Sequence, residues 1–97
     1  MMTAYVVFIR DEMKDQTAYD EYLQLDVPTL APYGGEILVA NGECEAFEGA
    51  EIDGSVILRF PDMAAARAWY TSPEYEKIKS MRLNATLGRA VLLNGIA

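Results

Sequence analysis

The stretch FPDMAAARAWYTSPEYEKIKSMR, residues 60–82, decides how this chain is read. It opens as the end of a strand at Phe60, turns at Pro61-Asp62, and continues as two helical pieces parted by Thr71-Ser72-Pro73. Asp62 is placed to cap the first piece by accepting a backbone N–H at its start. Ser72 is placed to cap the second, with Pro73 at the first helical position, where the amide hydrogen it lacks would have no partner anyway. Tyr75, Ile78 and Arg82 then follow at i, i+3 and i+7 and share one face with Ala85. That spacing sets a guanidinium on the apolar side of its own helix.

Outward from this stretch, four short runs rich in Val, Ile and Leu read as strands: residues 4–9, 37–40, 56–60 (interrupted by Arg59) and 90–93. Between the first two runs, Tyr19, Tyr22, Leu23, Val27 and Leu30 recur at helical spacing. Pro28 is expected to kink or restart this helix, with Asp26 or Val27 at the break, because it lacks the N–H the next turn needs. Gly34-Gly35 closes it, since glycine accepts the left-handed conformation at a helix end. The order is βαββαβ, a ferredoxin-like α+β unit: a four-stranded antiparallel sheet with two helices on one face, in a single domain over residues 1–97.

The strands are apolar on both sides. Tyr5, Val7 and Ile9 alternate with Val6 and Phe8, and Val56 and Leu58 oppose Ile57. Two helices cover one face of such a sheet, so the other would leave an apolar patch larger than the few hundred Å² a monomer usually exposes. Packing sheet against sheet in a two-fold homodimer resolves the excess and predicts a dimeric α/β barrel.

Composition narrows the function. Fifteen acids against eight bases give a net charge of −7, and the bases form no patch, so nucleic acid is not an expected partner. The first apolar run is too short for a membrane span or a signal peptide, and the chain is expected to be cytoplasmic and without a membrane partner. A lone cysteine, Cys44, forbids an intrachain disulfide and has no nearby base to lower its pKa. The chain has no histidine. That excludes Ser-His and Cys-His nucleophile systems, proximal-His haem ligation and His-based zinc or iron sites. Any metal would have to be held by carboxylates and carbonyls, as the acids of residues 41–54 could hold calcium or magnesium, but the EF-hand spacing is absent, and no metal and no cofactor are expected. Any acid–base catalyst must be Asp, Glu, Lys, Tyr or Cys44.

Gly34-Gly35, Glu48-Gly49, Phe60-Pro61, Ala66, Trp69-Tyr70, Ser72-Pro73-Glu74-Tyr75, Arg82 and Gly95 together resemble the domain-of-unknown-function 1330 family over essentially the whole chain. The Trp-Tyr-x-Ser-Pro-Glu-Tyr run is the specific part. The resemblance implies a ferredoxin-like protomer of the dimeric α/β-barrel superfamily, which includes cofactor-free monooxygenases, lactone isomerases, haem enzymes and ligand-sensing domains. Glu36 stands where the family usually has a base and Arg59 where it usually has an acid, so the two are expected to pair across neighbouring strands or to remain independent surface charges. Asp62 replaces the family's usual serine and still caps.

Arg82 is the first candidate for chemistry, as a clamp for a carboxylate or a stabiliser of an enolate-like oxyanion. Its structural alternatives are an ion pair with Asp or Glu, or a chain that reaches the surface. Tyr70 is the second catalytic candidate. Tyr22, Tyr5 and Trp69 are candidates for ligand contacts, their alternative being ordinary core packing, with Trp69 a core or interface anchor. The acid-rich connector 41–54 reads as a solvated loop over the barrel mouth or partner subunit, and the helical acids, Asp26 among them, as solvated faces. Two functions fit: a small-molecule-binding homodimer with cofactor-free isomerase, lyase or oxygenase chemistry on an anionic or cyclic substrate, and a non-catalytic ligand-sensing or structural dimer. A pocket of several hundred Å³ reached by Arg82 and tyrosine hydroxyls would favour the first, and a closed core the second.

Overall fold

A computed structural model describes residues 2–97. The strands are β1 (Ala4–Met13), β2 (Glu36–Ala40), β3 (Gly54–Phe60) and β4 (Thr86–Asn94). The helices are α1 (Gln16–Leu30), α2 (Met63–Tyr70) and α3 (Pro73–Ala85), with a 3₁₀ turn over Ala31–Tyr33. The strands form one antiparallel sheet in the order β2-β3-β1-β4. This is the ferredoxin-like arrangement expected from the sequence.

Period-two alternation places Ala4, Val6 and Phe8 of β1, and Val56, Leu58 and Phe60 of β3, under the helices, where all six are buried. Trp69 is fully buried at the centre of this layer, its ring 4.3 Å from Tyr75 and 5.5 Å from Phe60, centroid to centroid. The opposite face carries Tyr5, Val7, Ile9, Val39, Ile57, Val91 and Leu93, with Arg59 and Glu36 near one edge. Among the described residues no helix covers that face, and Val91 and Leu93 are 45% and 49% exposed.

Both expected caps form. Asp62 Oδ1 accepts from the Ala65 amide at 2.8 Å, and Ser72 Oγ accepts from the Tyr75 amide at 3.2 Å while donating to the Trp69 carbonyl at 2.7 Å. Asp15 caps α1 in the same way, accepting from the Ala18 amide at 3.0 Å. Gly34, at φ 73°, ends the 3₁₀ turn in the left-handed conformation expected there. Glu36 and Arg59 pair in register, with Arg59 Nη2 donating to Glu36 Oε2 at 2.6 Å.

Two expectations about α1 are corrected. The helix runs on through Pro28 and does not restart at Asp26 or Val27. Pro28 still lacks its N–H, but a side-chain chain braces the turn: Trp69 Nε1 donates to Thr29 Oγ1 at 2.9 Å, and Thr29 Oγ1 donates to the Asp26 carbonyl at 2.6 Å. Val27, expected inside, is 50% exposed, and Asp26, expected in solvent, is buried. The inward stripe of α1 is Tyr19, Tyr22, Asp26, Thr29 and Leu30.

Candidate functional site

Both α1 and α3 place a charged residue seven positions after an inward tyrosine: Asp26 after Tyr19, and Arg82 after Tyr75. The helices pack against each other over the sheet, so these two inward stripes meet. Arg82 is 8% exposed. Its Nε donates to the Tyr75 hydroxyl at 3.2 Å, and its guanidinium carbon lies 5.0 Å from the Phe8 ring centroid. The Tyr75 and Tyr22 hydroxyls are hydrogen-bonded at 2.7 Å. Burial opposes the charge on Arg82, but the oxygens of Tyr75, Tyr22 and Tyr70 outweigh it and hold its pKa above the ordinary arginine value. Burial raises the pKa of both Tyr22 and Tyr75, which keeps their hydroxyls protonated.

Asp26 completes the group. Its residue is 5% exposed, and its Oδ1 has no hydrogen-bond partner among the described residues. Burial pushes its carboxyl up to about 6, against a smaller lowering by the Arg82 charge. Asp26 and Arg82 form no ion pair; instead they line one cavity of about 30 Å³, together with Phe8, Tyr19, Tyr22 and Val56. Arg10, Gly88 and Arg89 line it as well, the last two exposed to solvent. Such a cavity has room for roughly two waters, at about 10–15 Å³ each.

The expected site residues therefore separate. Arg82 and Tyr22 are together at this cavity, and the Tyr75 hydroxyl bonds both of them. Tyr70 stacks on Tyr75 at 5.5 Å but lines a different groove, of about 440 Å³, between α2 and β4. Tyr5 lies on the uncovered face of the sheet, away from Arg82, because its neighbours Ala4 and Val6 take the helix side. Trp69 is fully buried and binds Thr29, which makes it a core anchor. Asp26 is the candidate that sequence reading passed over. Its signal was available, since Tyr19, Tyr22 and Asp26 repeat the i, i+3, i+7 spacing of Tyr75, Ile78 and Arg82.

The connector 41–53 is pinned at its base by Arg10, which donates from Nη1 to Asn41 Oδ1 at 2.8 Å and pairs through Nε with Asp53 at 3.3 Å. Asn41 in turn donates to the Tyr19 hydroxyl at 3.0 Å, joining this loop to the wall of the cavity. Cys44 is exposed on the connector. Among the described residues, no helix is long and apolar enough to cross a membrane.

The family whose sequence pattern matches residues 3–96 is the domain of unknown function DUF1330, and the chain belongs to it. No curated protein sequence matches the chain. A protein of unknown function from Rhodopseudomonas palustris shares 17% identity over 99% of this chain and 84% of its own, with a TM-score of 0.78. A dimeric ferredoxin-like protein of unknown function from Jannaschia shares 17% identity over 100% of both chains, with a TM-score of 0.67. A cofactor-independent oxygenase from Streptomyces nogalater, SnoaB, shares 10% identity over 99% of this chain and 94% of its own, with a TM-score of 0.66. At these identities the likeness is one of fold.

Proposed function

We propose that this DUF1330 protein is a homodimeric α/β barrel that binds a small, anionic or cyclic organic molecule at the cavity between α1, α3 and the sheet, and acts on it without a cofactor. The observation that carries this reading is the buried Asp26 oxygen without a protein partner, on a residue that lines the same cavity as Arg82. A buried polar atom left unpaired costs about 1–3 kcal/mol, so water or the polar group of a ligand is the partner this site calls for. Arg82 supplies positive charge for a developing oxyanion, the Tyr22–Tyr75 pair supplies orientation, and Asp26 is the group able to accept or return a proton near neutral pH. Tyr70 acts on the site through its stack with Tyr75. The Streptomyces oxygenase supports the reading only as an example of what this fold can house.

The uncovered sheet face supports the homodimer, since its apolar residues from β1, β2, β3 and β4 form one surface. The Jannaschia protein of the same fold is described as dimeric. Sedimentation of the chain at micromolar concentration should give a mass of two chains, and a mass of one would remove the barrel. For the site, thermal-shift screening of small organic acids and phenols should yield ligands that stabilise the wild type and fail with Arg82→Met. Stabilisation that survives this substitution would place the ligand elsewhere.

A second reading, a non-catalytic sensor or structural dimer, is favoured by the cavity's small volume of about 30 Å³. Among the described residues, the cavity that Arg82 lines is smaller than the several hundred Å³ expected of an enzyme pocket. Ligand binding with no change in the ligand after prolonged incubation, followed by mass spectrometry, would support this second reading.

A further inference from the structure

We infer that the cavity takes a small carboxylic acid, head-in between Arg82 and Asp26, with one proton shared between the bound carboxylate and the Asp26 carboxyl. The inference rests on the reading of this cavity as a ligand site and names the class of molecule it receives.

Size is the first argument. About 30 Å³ is room for roughly two waters, which matches the two oxygens of a carboxylate head group and is too little for a ring. The mouth, at exposed Gly88 and Arg89, lets the remainder of a ligand extend outward. A tetrahedral phosphate is bulkier and carries more charge than the one buried guanidinium meets.

Charge is the second. The chain carries −7 overall, yet the cavity wall holds Arg82 and Arg10 with one acid, Asp26. Arg10 is paired with Asp53, while Arg82 makes no ion pair among the described residues. Arg89 borders the cavity from β4, but its register opposite Ile9 puts its side chain on the uncovered face of the sheet. An anion inside the cavity is therefore attracted to the Arg82 guanidinium.

Donor chemistry is the third. Tyr19 and Tyr22 from α1 itself, Arg82 from α3, Arg10 from β1 and Thr86 from β4 line the cavity, while β3 contributes Val56; Tyr75 braces Tyr22 and Arg82 through its hydroxyl. All of these polar groups donate hydrogen bonds; the ionised Asp26 alone would repel an incoming anion. Protonation turns its unpartnered oxygen from a repelling charge into a donor, and two carboxyl groups at one site hold a single proton between them. Binding of RCOO⁻ above the Asp26 pKa therefore draws one H⁺ from the buffer, which stays on the Asp26–ligand pair; no bond to carbon changes.

Titration calorimetry of the full chain with acetate and benzoate tests this, with benzamide as the neutral counterpart and inorganic phosphate as the competing anion. Benzoate is an ordinary carboxylate and stays ionised above about pH 5.5. Its affinity should fall roughly tenfold per pH unit above the Asp26 pKa, with one proton taken up per site in buffers of different ionisation heat. Asp26→Asn, which mimics the protonated acid, should bind benzoate with no pH dependence and roughly tenfold or more tighter than wild type at about pH 7.5. Benzamide and phosphate should bind far more weakly. Benzoate affinity that does not vary with pH, proton uptake of zero, or equal binding of benzamide overturns the inference. The wild-type slope and proton count hold the test even where the variant folds poorly. Binding of phenol or catechol at this cavity without any carboxylate sinks the carboxylic-acid class and leaves the ligand site standing; binding of neither sinks both.

Discussion

The Tyr22 and Tyr75 hydroxyls meet at 2.7 Å across the seam between α1 and α3, and Arg82 Nε donates to the second of them at 3.2 Å. The pair is asymmetric: Tyr75 serves two partners and Tyr22 one. Tyr22→Phe removes one hydrogen bond and leaves Tyr75 bound to Arg82, at a cost of about 1 kcal/mol. Tyr75→Phe removes both and strips a buried guanidinium nitrogen of its acceptor, at a cost of about 2–3 kcal/mol. Urea unfolding of the two variants should show that order, and equal losses would mean that Arg82 does not depend on Tyr75.

Asp26 makes stability depend on pH in a definite direction. Its carboxyl titrates at about 6 in the fold, against 3.8 when unperturbed. Between those values the native state holds the proton more tightly than the unfolded chain, so this contribution is present at low pH and lost as pH rises through about 6. Asp26→Asn removes the loss. Above neutral pH the variant should be more stable than wild type by about 2–3 kcal/mol, with the difference shrinking toward about pH 4. A variant less stable than wild type at every pH would show that the ionised carboxylate is satisfied in the fold.

Arg82→Met tests the coupling between the two charges. Arg82 has no carboxylate partner within ion-pair distance among the described residues, so its removal should cost less than the ~3–5 kcal/mol of a broken buried pair. It should also raise the Asp26 pKa further, because the Arg82 charge now lowers it. The Asp26 carboxyl carbon shift, followed by NMR titration, reads this directly; an unmoved midpoint would separate the two groups.

The uncovered sheet face predicts a failure of assembly. Ile57 sits on that face, opposite Val7 in register. Ile57→Lys places a charge where a second sheet would pack and should weaken the dimer by at least about thirtyfold, or ~2 kcal/mol. Sedimentation should then show single chains with an unchanged circular dichroism spectrum. A persistent two-chain mass would put the interface on another surface.

Much of this protein was legible residue by residue, where the signal is local. Ser72-Pro73 and Asp62 announce helix starts because capping is decided within one turn, and both caps form. Val, Ile and Phe at alternate positions announce strands, and Glu36 facing Arg59 followed once the order of strands was known. The inward face of α3, with Tyr75, Ile78, Arg82 and Ala85, was equally readable from its spacing. Pro28 does not restart the helix, and the turn around it is tied to Trp69, forty residues from Thr29 in sequence, a partner no local signal shows.

The site was legible only in halves. Periodicity by itself determined that Arg82 points inward from α3 and that Tyr22 points inward from α1. Asp26 was lost because an acid at a helix position reads as solvated unless something across the seam excludes water. Tertiary packing alone decided that Asp26 and Arg82 open on one small cavity without forming an ion pair, that Arg10 joins them there, and that Tyr5 lies on the far side of the sheet. A chain specifies which face each residue takes on its own element through backbone geometry; which faces meet, and how much space stays between them, follows from how whole helices pack on the sheet.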